Sequence, residues 1–262
     1  MTDETTPFAI ENAAGSGDLL VVCDHASNRF PAPWGDLGLA AEDREAHIAW
    51  DPGALAVCRH LARLADAPLF HGTVSRLIVD VNRPEDSPTL APDVSEATPV
   101  PGNAGLSDEA RRARIAAIHA PYHAGLDRFV GEQVERRRRA GAPAPTVVGV
   151  HTFTPVFLGV TRPLHVGVLY GEGNPLGPEL LAALAAEEGV VAEANEPYSG
   201  SGEVYYTMAR HAVARGLANV MIEIRNDLLA TDAEARLWAE RLWRPFARRR
   251  DAAGRRAGAG GR

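Results

Sequence analysis

The segment that decides the fold is DLLVVCDHASNRFP, residues 18–31. Leu19 to Cys23 form a continuous apolar run with two valines, which is typical of a strand covered on both faces. Such strands belong to sheets that lie between two layers of helices. The run ends abruptly in polar residues, so that Asp24 and His25 stand at the point where a buried strand stops.

The rest of the chain alternates short apolar runs with longer Ala-, Leu- and Arg-rich segments of helical period. This alternation predicts an α/β fold with a mixed, mostly parallel sheet sandwiched between helices. We predict further strands within 67–82, 145–153, 164–171 and 217–227, and helices within 42–67, 107–141, 175–189, 203–216 and 232–250. We expect one domain over residues 1–250 and a disordered Ala/Gly/Arg-rich tail at 251–262.

The composition excludes several classes of protein. A formal net charge of -7 argues against a general nucleic-acid binder, since phosphate backbones are held by concentrated positive charge. All 27 basic residues are arginine, which removes Schiff-base and P-loop lysine chemistry. Two cysteines, no signal-peptide pattern and no apolar stretch of about 20 residues favour a cytoplasmic protein without a membrane partner. The oligomeric state is left open.

Three residues near predicted strand ends are candidates for chemistry, because ligands gather at the carboxyl ends of parallel strands. His25 and His151 arrive there from separate strands, and imidazole pairs of this kind suit a metal ion such as Zn²⁺. Glu223 lies between two isoleucines of a predicted strand, where a carboxylate is costly unless it is paired or functional. Such a carboxylate could take a proton from an activated water.

Plainer interpretations stand beside these. A single histidine near a strand end is most often structural, and Glu223 could simply pair with Arg225 or Arg76. Asn82 and Arg83, at the end of the predicted 67–82 strands, could hold the proline-rich loop that follows.

A rival metal motif is the pair His119 and His123, since residues i and i+4 share one helix face. Pro121 lies between them, and the segment lacks the glutamate of an HExxH pattern. A zincin site is therefore disfavoured, and His123 is predicted to line a substrate pocket.

Six segments in order resemble the N-formylglutamate amidohydrolase family: VCDHASNRFP, HIAWDPGA, SRLIVDVNRP, HAPYHAGL, GVHTFTP and MIEIRNDL. The resemblance covers about residues 16–247. The chain departs from the family in the first segment, which usually reads PHSG in the family and reads DHAS here. The family is related in fold to zinc carboxypeptidases and aspartoacylase, so the resemblance implies that architecture and one Zn²⁺ ion.

The order of residues also implies their roles. By resemblance, His25 and His151 are zinc ligands and Glu223 is the general base. Asn82 and Arg83 correspond to the Asn-Arg pair that grips the substrate carboxylate, a task that suits the planar guanidinium.

The assignment of the third metal ligand is less direct. The related peptidases carry a glutamate three residues after the first histidine, and Asn28 occupies that place here. By resemblance to the family's WD motif, we assign the missing carboxylate to Asp51. The alternative is that Asp51 caps a helix that begins at Pro52.

The implied activity is zinc-dependent hydrolysis of an N-acyl, in particular N-formyl, amide on a small carboxylate-bearing amino acid. Arg76 or Arg225 would bind a side-chain carboxylate or stabilise the oxyanion. Two alternatives stay open: an amidase for a larger substrate such as a peptidoglycan fragment, and a non-catalytic metal- or ligand-binding homologue. The metal hypothesis requires the rings of His25 and His151 to lie within about 6 Å of each other.

Overall fold

The computed structural model of the protein describes residues 6–259. Its main feature is a seven-stranded sheet, accompanied by two hairpins of two-residue strands. In chain order the strands are β1 Phe8–Glu11, β2 Leu19–Cys23, β3 Leu69–Gly72, β4 Val94–Ser95, β5 Thr98–Pro99, β6 Thr146–Phe153, β7 Val156–Phe157, β8 Val160–Thr161, β9 Val166–Leu169, β10 Ala192–Ala194 and β11 Asn219–Arg225.

The order of strands in the sheet is β1-β3-β2-β6-β11-β9-β10. The four strands β3, β2, β6 and β11 run parallel to one another, whereas β1 pairs antiparallel with β3 and β9 antiparallel with β11. The predicted mixed, mostly parallel sheet is thus confirmed. Because β2, β6 and β11 are parallel neighbours, their carboxyl ends open at one edge of the sheet.

The helices are α1 Ala41–Glu45, α2 Ala54–Ala65, α3 Asp108–Arg114, α4 Ala120–Arg139, α5 Leu176–Ala185, α6 Tyr206–His211 and α7 Asp232–Ala259. They cover both faces of the sheet: α2, α5 and α7 pack on one face, α4 and α6 on the other. In β2, Leu19, Val21 and Cys23 belong to the first core and Leu20 and Val22 to the second. Coverage on both faces therefore explains the unbroken apolar run of β2.

The helix predicted over residues 42–67 is divided into α1 and α2. Pro52 and Gly53 interrupt it, with Gly53 at a φ of 83° preceding the first residue of α2. The irregular segment between the two helices carries Asp51, whose backbone N–H donates to the carbonyl of His25 at 2.9 Å. The break in the helix thus brings Asp51 beside the end of β2.

The predicted strand over SRLIVDVN is wrong, since residues 73–82 form a series of turns after β3. Their backbone groups bond to other segments: the N–H of Ser75 donates to Arg29 O and that of Asp80 to Leu90 O. In the turn conformation Arg76 and Asp80 form an ion pair, at 2.6 Å. In a strand, residues four apart would lie about 13 Å from each other.

The helix α7 continues to Ala259, into the segment 251–262 of the expected tail. Alanine and arginine, which are frequent in this segment, are strong helix formers. Residues 260–262 of the predicted tail lie outside the described residues. Within residues 6–259, no helix combines the length and apolar character that crossing a membrane would require.

Gly72 tests how tightly β3 packs against the end of β2. A Cβ at this position would lie 2.2 Å from the carbonyl oxygen of Asp24, which is backbone and cannot rotate away. We expect Gly72→Ala to lower the free energy of unfolding by about 1–3 kcal/mol in urea titrations. Gly131→Ala in α4 is the control, because no atom lies within 4 Å of the added methyl; it should be neutral or stabilising by up to about 1 kcal/mol. Equal stability of the Gly72→Ala variant and the wild type would contradict this packing.

Candidate active site and metal centre

A cavity of about 320 Å³ opens at the carboxyl ends of β2, β6 and β11. His25 follows β2 by two residues, His151 belongs to β6 and Glu223 to β11. The proline-rich loop 84–106 and the β7–β8 hairpin also contribute to the lining, through Val94, Glu96 and Phe157 among others. Seven of the nine residues predicted for the site line this cavity: His25, Asp51, Arg76, Asn82, Arg83, His151 and Glu223.

His25, Asp51 and His151 converge on one point. Each offers one potential ligand atom, and the three atoms lie within 4.8 Å of one another. Asp51 Oδ2 lies 2.9 Å from His151 Nδ1 and 3.4 Å from His25 Nδ1. The two imidazole rings have centroids 5.0 Å apart, within the separation that the metal hypothesis requires.

Two further buried carboxylates fix the orientation of the rings. His25 Nε2 donates to Asp80 Oδ1 at 2.7 Å, and His151 Nε2 donates to Asp24 Oδ2 at 3.0 Å. Each Nδ1 therefore faces Asp51. Burial opposes the charge of His151, but hydrogen bonds to Asp24 and Asp51 raise its pKa well above the ordinary value, so that without a metal its Nδ1–H donates to Asp51 Oδ2 at 2.9 Å. A metal ion would take the place of that proton. This arrangement of carboxylate and imidazole is the one that orients metal-binding histidines in proteins.

These carboxylates are themselves held by the helical layer. Asp24 Oδ1 accepts hydrogen bonds from the hydroxyls of Tyr122 at 2.6 Å and Thr207 at 3.0 Å. Burial alone would raise the pKa of Asp24, but hydrogen bonding and the charge of His151 outweigh it, and the pKa is lowered. Asp24 is therefore an anion with every contact directed at stabilising its charge.

The site has an excess of buried negative charge. Asp24, Asp51 and Asp80 are all buried. Two positive charges are paired with them: the guanidinium of Arg76, with Asp80 at 2.6 Å and Asp51 at 3.4 Å, and the imidazolium of His151, whose pKa is raised by Asp24 at 3.0 Å and Asp51 at 2.9 Å. Burial opposes ionisation of Asp51, yet the neighbouring His25 and His151 lower its pKa below the usual range. Buried charges require compensation, so a further cation would stabilise this cluster.

The donor set fits a metal ion. His25 Nδ1 is buried without a hydrogen-bond partner, although it faces Asp51 Oδ2. A tetrahedral ion with ligands at about 2.0–2.2 Å separates its ligand atoms by roughly 3.4 Å, close to the spacing of Asp51 Oδ2 from the two nitrogens. Two imidazoles and one carboxylate, with a fourth position left open, form a typical ligand set of catalytic zinc.

The geometry distinguishes Asp51 from Asn28 as the third member. Asn28 Nδ2 donates to the carbonyl of Arg44 at 3.0 Å, and Asn28 does not line the cavity. Asp51 does not act as the predicted helix cap, since the residue preceding α2 is Gly53. Its carboxylate instead accepts from the N–H of Thr152 at 3.3 Å and faces the two histidines.

Glu223 stands beside the histidines on the neighbouring strand. It is the register partner of His151 in the β6–β11 ladder, so that both side chains leave the same face of the sheet. The side chain lines the cavity, is 5% exposed, and its Oε2 atom has no hydrogen-bond partner. Burial raises the pKa of Glu223 to about 7, which matches a group that exchanges protons near neutral pH.

Three further side chains line the cavity, Asn82, Arg83 and Arg76, and they differ in how many of their polar groups already have partners. The Asn82 amide is engaged at both atoms, donating to Val204 O at 2.8 Å and accepting from the N–H of Thr207 at 3.0 Å. Among the described residues, the guanidinium of Arg83 donates to two neutral groups, Thr89 Oγ1 and Asn82 O, and forms no ion pair. Arg76 is already paired with aspartates. Arg83 is therefore the better placed of the two arginines to receive a substrate carboxylate.

Two predicted substrate-binding residues do not reach the cavity. Arg225 is paired with Asp227 at 2.8 Å, and its Nη1 donates to the backbone carbonyl of Arg162 at 3.0 Å. His123 is buried in the helical layer, where it bonds to Val81 O and His211 Nε2, both at 2.8 Å. Each side chain is engaged with these partners instead of lining the cavity.

The sequence places Asp24 and Asp80 at predicted strand ends but predicts no role for them. Both follow apolar runs directly, in VVCDH and LIVDVN, and a carboxylate at such a position is the only signal that the sequence offers. Two partners of Asp24, Tyr122 and Thr207, lie 98 and 183 residues from it along the chain. Contacts over such separations have no local pattern.

The fold and the convergent His-Asp-His cluster with its neighbouring glutamate define a hydrolase-like α/β protein with a candidate metal site. A family model described as N-formylglutamate amidohydrolase matches residues 17–230, and the chain belongs to this family of amidohydrolases. Among proteins with curated functions, none matches the chain.

Solved structures share this fold. A gene product of Agrobacterium tumefaciens is 39% identical, with a TM-score of 0.86 over 93% of this chain and 96% of the other. An N-formylglutamate amidohydrolase from Ralstonia eutropha is 22% identical, with a TM-score of 0.64 over 95% of this chain and 99% of the other. The second similarity supports the fold.

Substitution of Asp24 tests whether this carboxylate fixes the orientation of His151. In Asp24→Asn an amide N–H₂ can face His151 Nε2–H, which favours the tautomer with the proton on Nδ1. We expect the affinity for Zn²⁺, measured by competition with a chromogenic chelator, to fall about 10–100-fold. Asp232→Asn is the matched control, because Asp232 bonds to His60 Nε2 at 2.8 Å but is 82% exposed and lies outside the cavity. Equal affinities of the Asp24→Asn variant and the wild type would exclude this role.

The buried Glu223 also predicts a pH-dependent stability. Its pKa is about 7 in the folded protein against about 4.5 ordinarily, so folding favours the protonated form. Below about pH 4.5 the glutamate is protonated in both the folded and the unfolded state and does not lower the free energy of unfolding. As the pH rises towards 7 and above, the unfolded state ionises more readily, and the folded state is progressively destabilised. In chelator-treated protein, Glu223→Gln should therefore gain up to about 3 kcal/mol relative to the wild type between pH 5 and pH 8. Denaturant titrations at both pH values measure this, and a pH-independent difference would contradict it.

Proposed function

We propose that this protein hydrolyses the N-acyl amide, in particular the N-formyl amide, of a small amino acid, with one Zn²⁺ ion held by His25, Asp51 and His151. The single observation that carries this proposal is the placement of an unligated glutamate beside a convergent His-Asp-His set. Membership of the N-formylglutamate amidohydrolase family supports the class of reaction.

The protein's own residues divide the chemistry between them. A bound Zn²⁺ would polarise the scissile carbonyl and lower the pKa of water. Glu223 accepts a proton from the attacking water and delivers it to the leaving amine, so that the C–N bond breaks as a C–O bond forms. The pKa of about 7, raised by burial, allows both transfers near neutral pH.

Substrate orientation falls to the turn 80–83. Arg83 is held by Thr89 Oγ1 and Asn82 O, and its remaining N–H groups suit a bidentate carboxylate. Asn82 acts mainly through its neighbours, because its amide fastens the turn to Val204 and Thr207. The amino acid's own carboxylate would then be fixed relative to the scissile bond, which is the geometric requirement of the reaction.

The dimensions of the cavity favour a small substrate over a peptidoglycan fragment. Its volume of about 320 Å³ is at the lower end of the range for small-molecule sites. A role in metal or ligand binding without catalysis explains Glu223 less well. A buried carboxylate without a hydrogen-bond partner is costly, and such groups concentrate in active sites.

Two substitutions separate the proposed roles of base and ligand. Glu223→Gln should lower kcat for N-formyl amino acids about 10²–10⁴-fold while the zinc content by elemental analysis stays at that of the wild type. His151→Ala should instead lose zinc, since one of three ligands is removed.

Glu193→Gln serves as the control, because Glu193 is an exposed residue of β10 in the same sheet. It should keep both zinc and activity. Full activity of Glu223→Gln would exclude the base, and stoichiometric zinc in His151→Ala would place the metal elsewhere. A wild type that holds zinc but releases no amine from N-formyl or N-acetyl amino acids would overturn the proposed activity.

A further inference from the structure

The turn 80–83, which carries Arg83, lies outside the sheet and is held in place by side chains. His119 and His123 are both buried, and their Nε2 atoms donate to the carbonyls of Arg83 at 2.9 Å and of Val81 at 2.8 Å. These two bonds fix the backbone of the turn. They do not fix the guanidinium of Arg83, which lies at the end of a long side chain with many rotamers.

A series of hydroxyl groups connects this guanidinium to a carboxylate on another segment of the chain. Arg83 Nε donates to Thr89 Oγ1 at 3.1 Å. Thr89 Oγ1 lies 2.9 Å from Ser87 Oγ, which in turn donates to Glu203 Oε2 at 2.6 Å. Ser87 is buried, whereas Arg83 and Thr89 line the cavity. The series thus leads from the cavity to Glu203, the first residue of a short 3₁₀ helix, Glu203–Tyr205.

The chemistry of these groups gives the series a single direction. A carboxylate only accepts hydrogen bonds, so the one hydroxyl proton of Ser87 is donated to Glu203. Ser87 Oγ then accepts from the Thr89 hydroxyl, and it also accepts from the N–H of Thr89 at 3.1 Å. Thr89 Oγ1 has given up its proton and accepts from Arg83 Nε. Every donor between the arginine and the glutamate therefore points towards the carboxylate, and successive bonds of this kind strengthen one another.

The bond to Nε decides which edge of the guanidinium is available to a ligand. An arginine has five N–H donors in a planar fork, and a carboxylate can meet two of them, either at Nε and Nη2 or at Nη1 and Nη2. Nε has a single proton, which is donated to Thr89, so the first edge is closed. Nη1 donates one of its two protons to the carbonyl of Asn82 at 2.8 Å. A substrate carboxylate is therefore left with the Nη1–Nη2 edge.

The segment that begins at Glu203 also holds Asn82. The amide of Asn82 donates to Val204 O at 2.8 Å and accepts from the N–H of Thr207 at 3.0 Å. Residues 203–207 thus hold Asn82 directly and Arg83 through two hydroxyl groups. This double attachment keeps the two neighbouring side chains in a fixed relation to each other, which is what precise binding of a substrate requires.

We propose that Glu203 is a positioning residue: through Ser87 and Thr89 it holds Arg83 in the orientation that presents the Nη1–Nη2 edge to the α-carboxylate of the substrate. The inference rests on the proposed hydrolysis and adds to it the network that aligns the carboxylate-binding arginine. Glu203 contacts neither substrate nor metal in this role. Its loss should therefore weaken binding of the α-carboxylate without removing a catalytic group.

The test compares N-formyl-L-glutamate with N-formyl-L-isoglutamine, in which only the α-carboxylate is replaced by an amide. The wild type should prefer the α-carboxylate. In Thr89→Val and in Glu203→Ala, the ratio of kcat/KM for the α-carboxylate over the α-amide should fall about three- to tenfold, mainly through KM, because one hydrogen bond of the series is lost. Glu203→Gln should restore part of the ratio, since its amide oxygen can still accept from Ser87.

A double-mutant cycle separates this role from a general structural effect. Arg83→Gln should lower the ratio at least about tenfold, since the charged partner of the carboxylate is removed. Glu203→Ala added to Arg83→Gln should lower it no further, because the series then has no guanidinium to hold. An equal loss in both backgrounds, or an unchanged ratio in either Thr89→Val or Glu203→Ala, would overturn the inference while leaving the hydrolysis intact. A wild type without preference for the α-carboxylate would overturn it in the same way.

The matched controls are Thr161→Val in β8 and Glu188→Ala in the turn after α5. They remove a hydroxyl and a carboxylate at exposed positions that do not line the cavity. Both variants should keep the substrate ratio of the wild type.

Failure of the hydrolysis itself is distinguishable. If the wild type cleaves neither substrate, the proposed function fails, and calorimetric binding of N-formyl-L-glutamate to zinc-loaded protein decides the role of Glu203. At least about threefold weaker binding by Glu203→Ala than by the wild type, with no such loss in the Arg83→Gln background, would support the inference. Equal binding by Glu203→Ala and the wild type, or no binding to the wild type, would overturn it.

Discussion

Two hydrogen bonds between buried carboxylates and imidazole rings hold the site together, Asp80 with His25 and Asp24 with His151. Each directs the Nε2 proton to its carboxylate and turns Nδ1 towards Asp51, where a metal ion would take the place of the Nδ1 proton of His151. A ring turned by 180° about Cβ–Cγ would lose this bond, because carbon atoms would then take the positions of both nitrogens. The convergence of the cluster therefore depends on these two contacts rather than on the histidines alone.

The same carboxylates connect the site to the rest of the fold. Asp24 is held by hydroxyls from α4 and α6, the helices on one face of the sheet, and Asp80 by Arg76 within the same turn. The sheet supplies the positions of the histidines, while the helices and turns supply their orientation. Displacement of either helix would alter the charge environment of Asp24 and, through it, His151.

The arrangement has a cost in stability. Several ionisable groups are packed into one small volume, and burial opposes the charge of every one of them. Most find partners, but Glu223 Oε2 and His25 Nδ1 do not. Groups left unsatisfied in an otherwise well-bonded cluster mark the positions where a ligand, rather than the fold, completes the contacts.

The arginines near the site show that a position at the end of a strand does not by itself imply a functional role. Arg225 ends β11 only two residues after Glu223, yet its charge is neutralised by Asp227 and its donors hold the backbone of residues 162–164. Arg162, which stands in no recognisable motif, rests instead on aromatic rings that face the cavity.

The sequence by itself determined the strands β2, β6 and β11, the shared edge at which they end, and the presence there of His25, His151 and Glu223, because apolar runs and their termini are local properties of the chain. Only the tertiary structure decided that LIVDVN forms turns, that Asp51 faces the histidines, which carboxylate orients each ring, and which arginines remain unpaired. Apolar patterning reports burial, whereas hydrogen-bond and ion-pair partners are chosen among groups that are distant in sequence and meet only when the chain has folded.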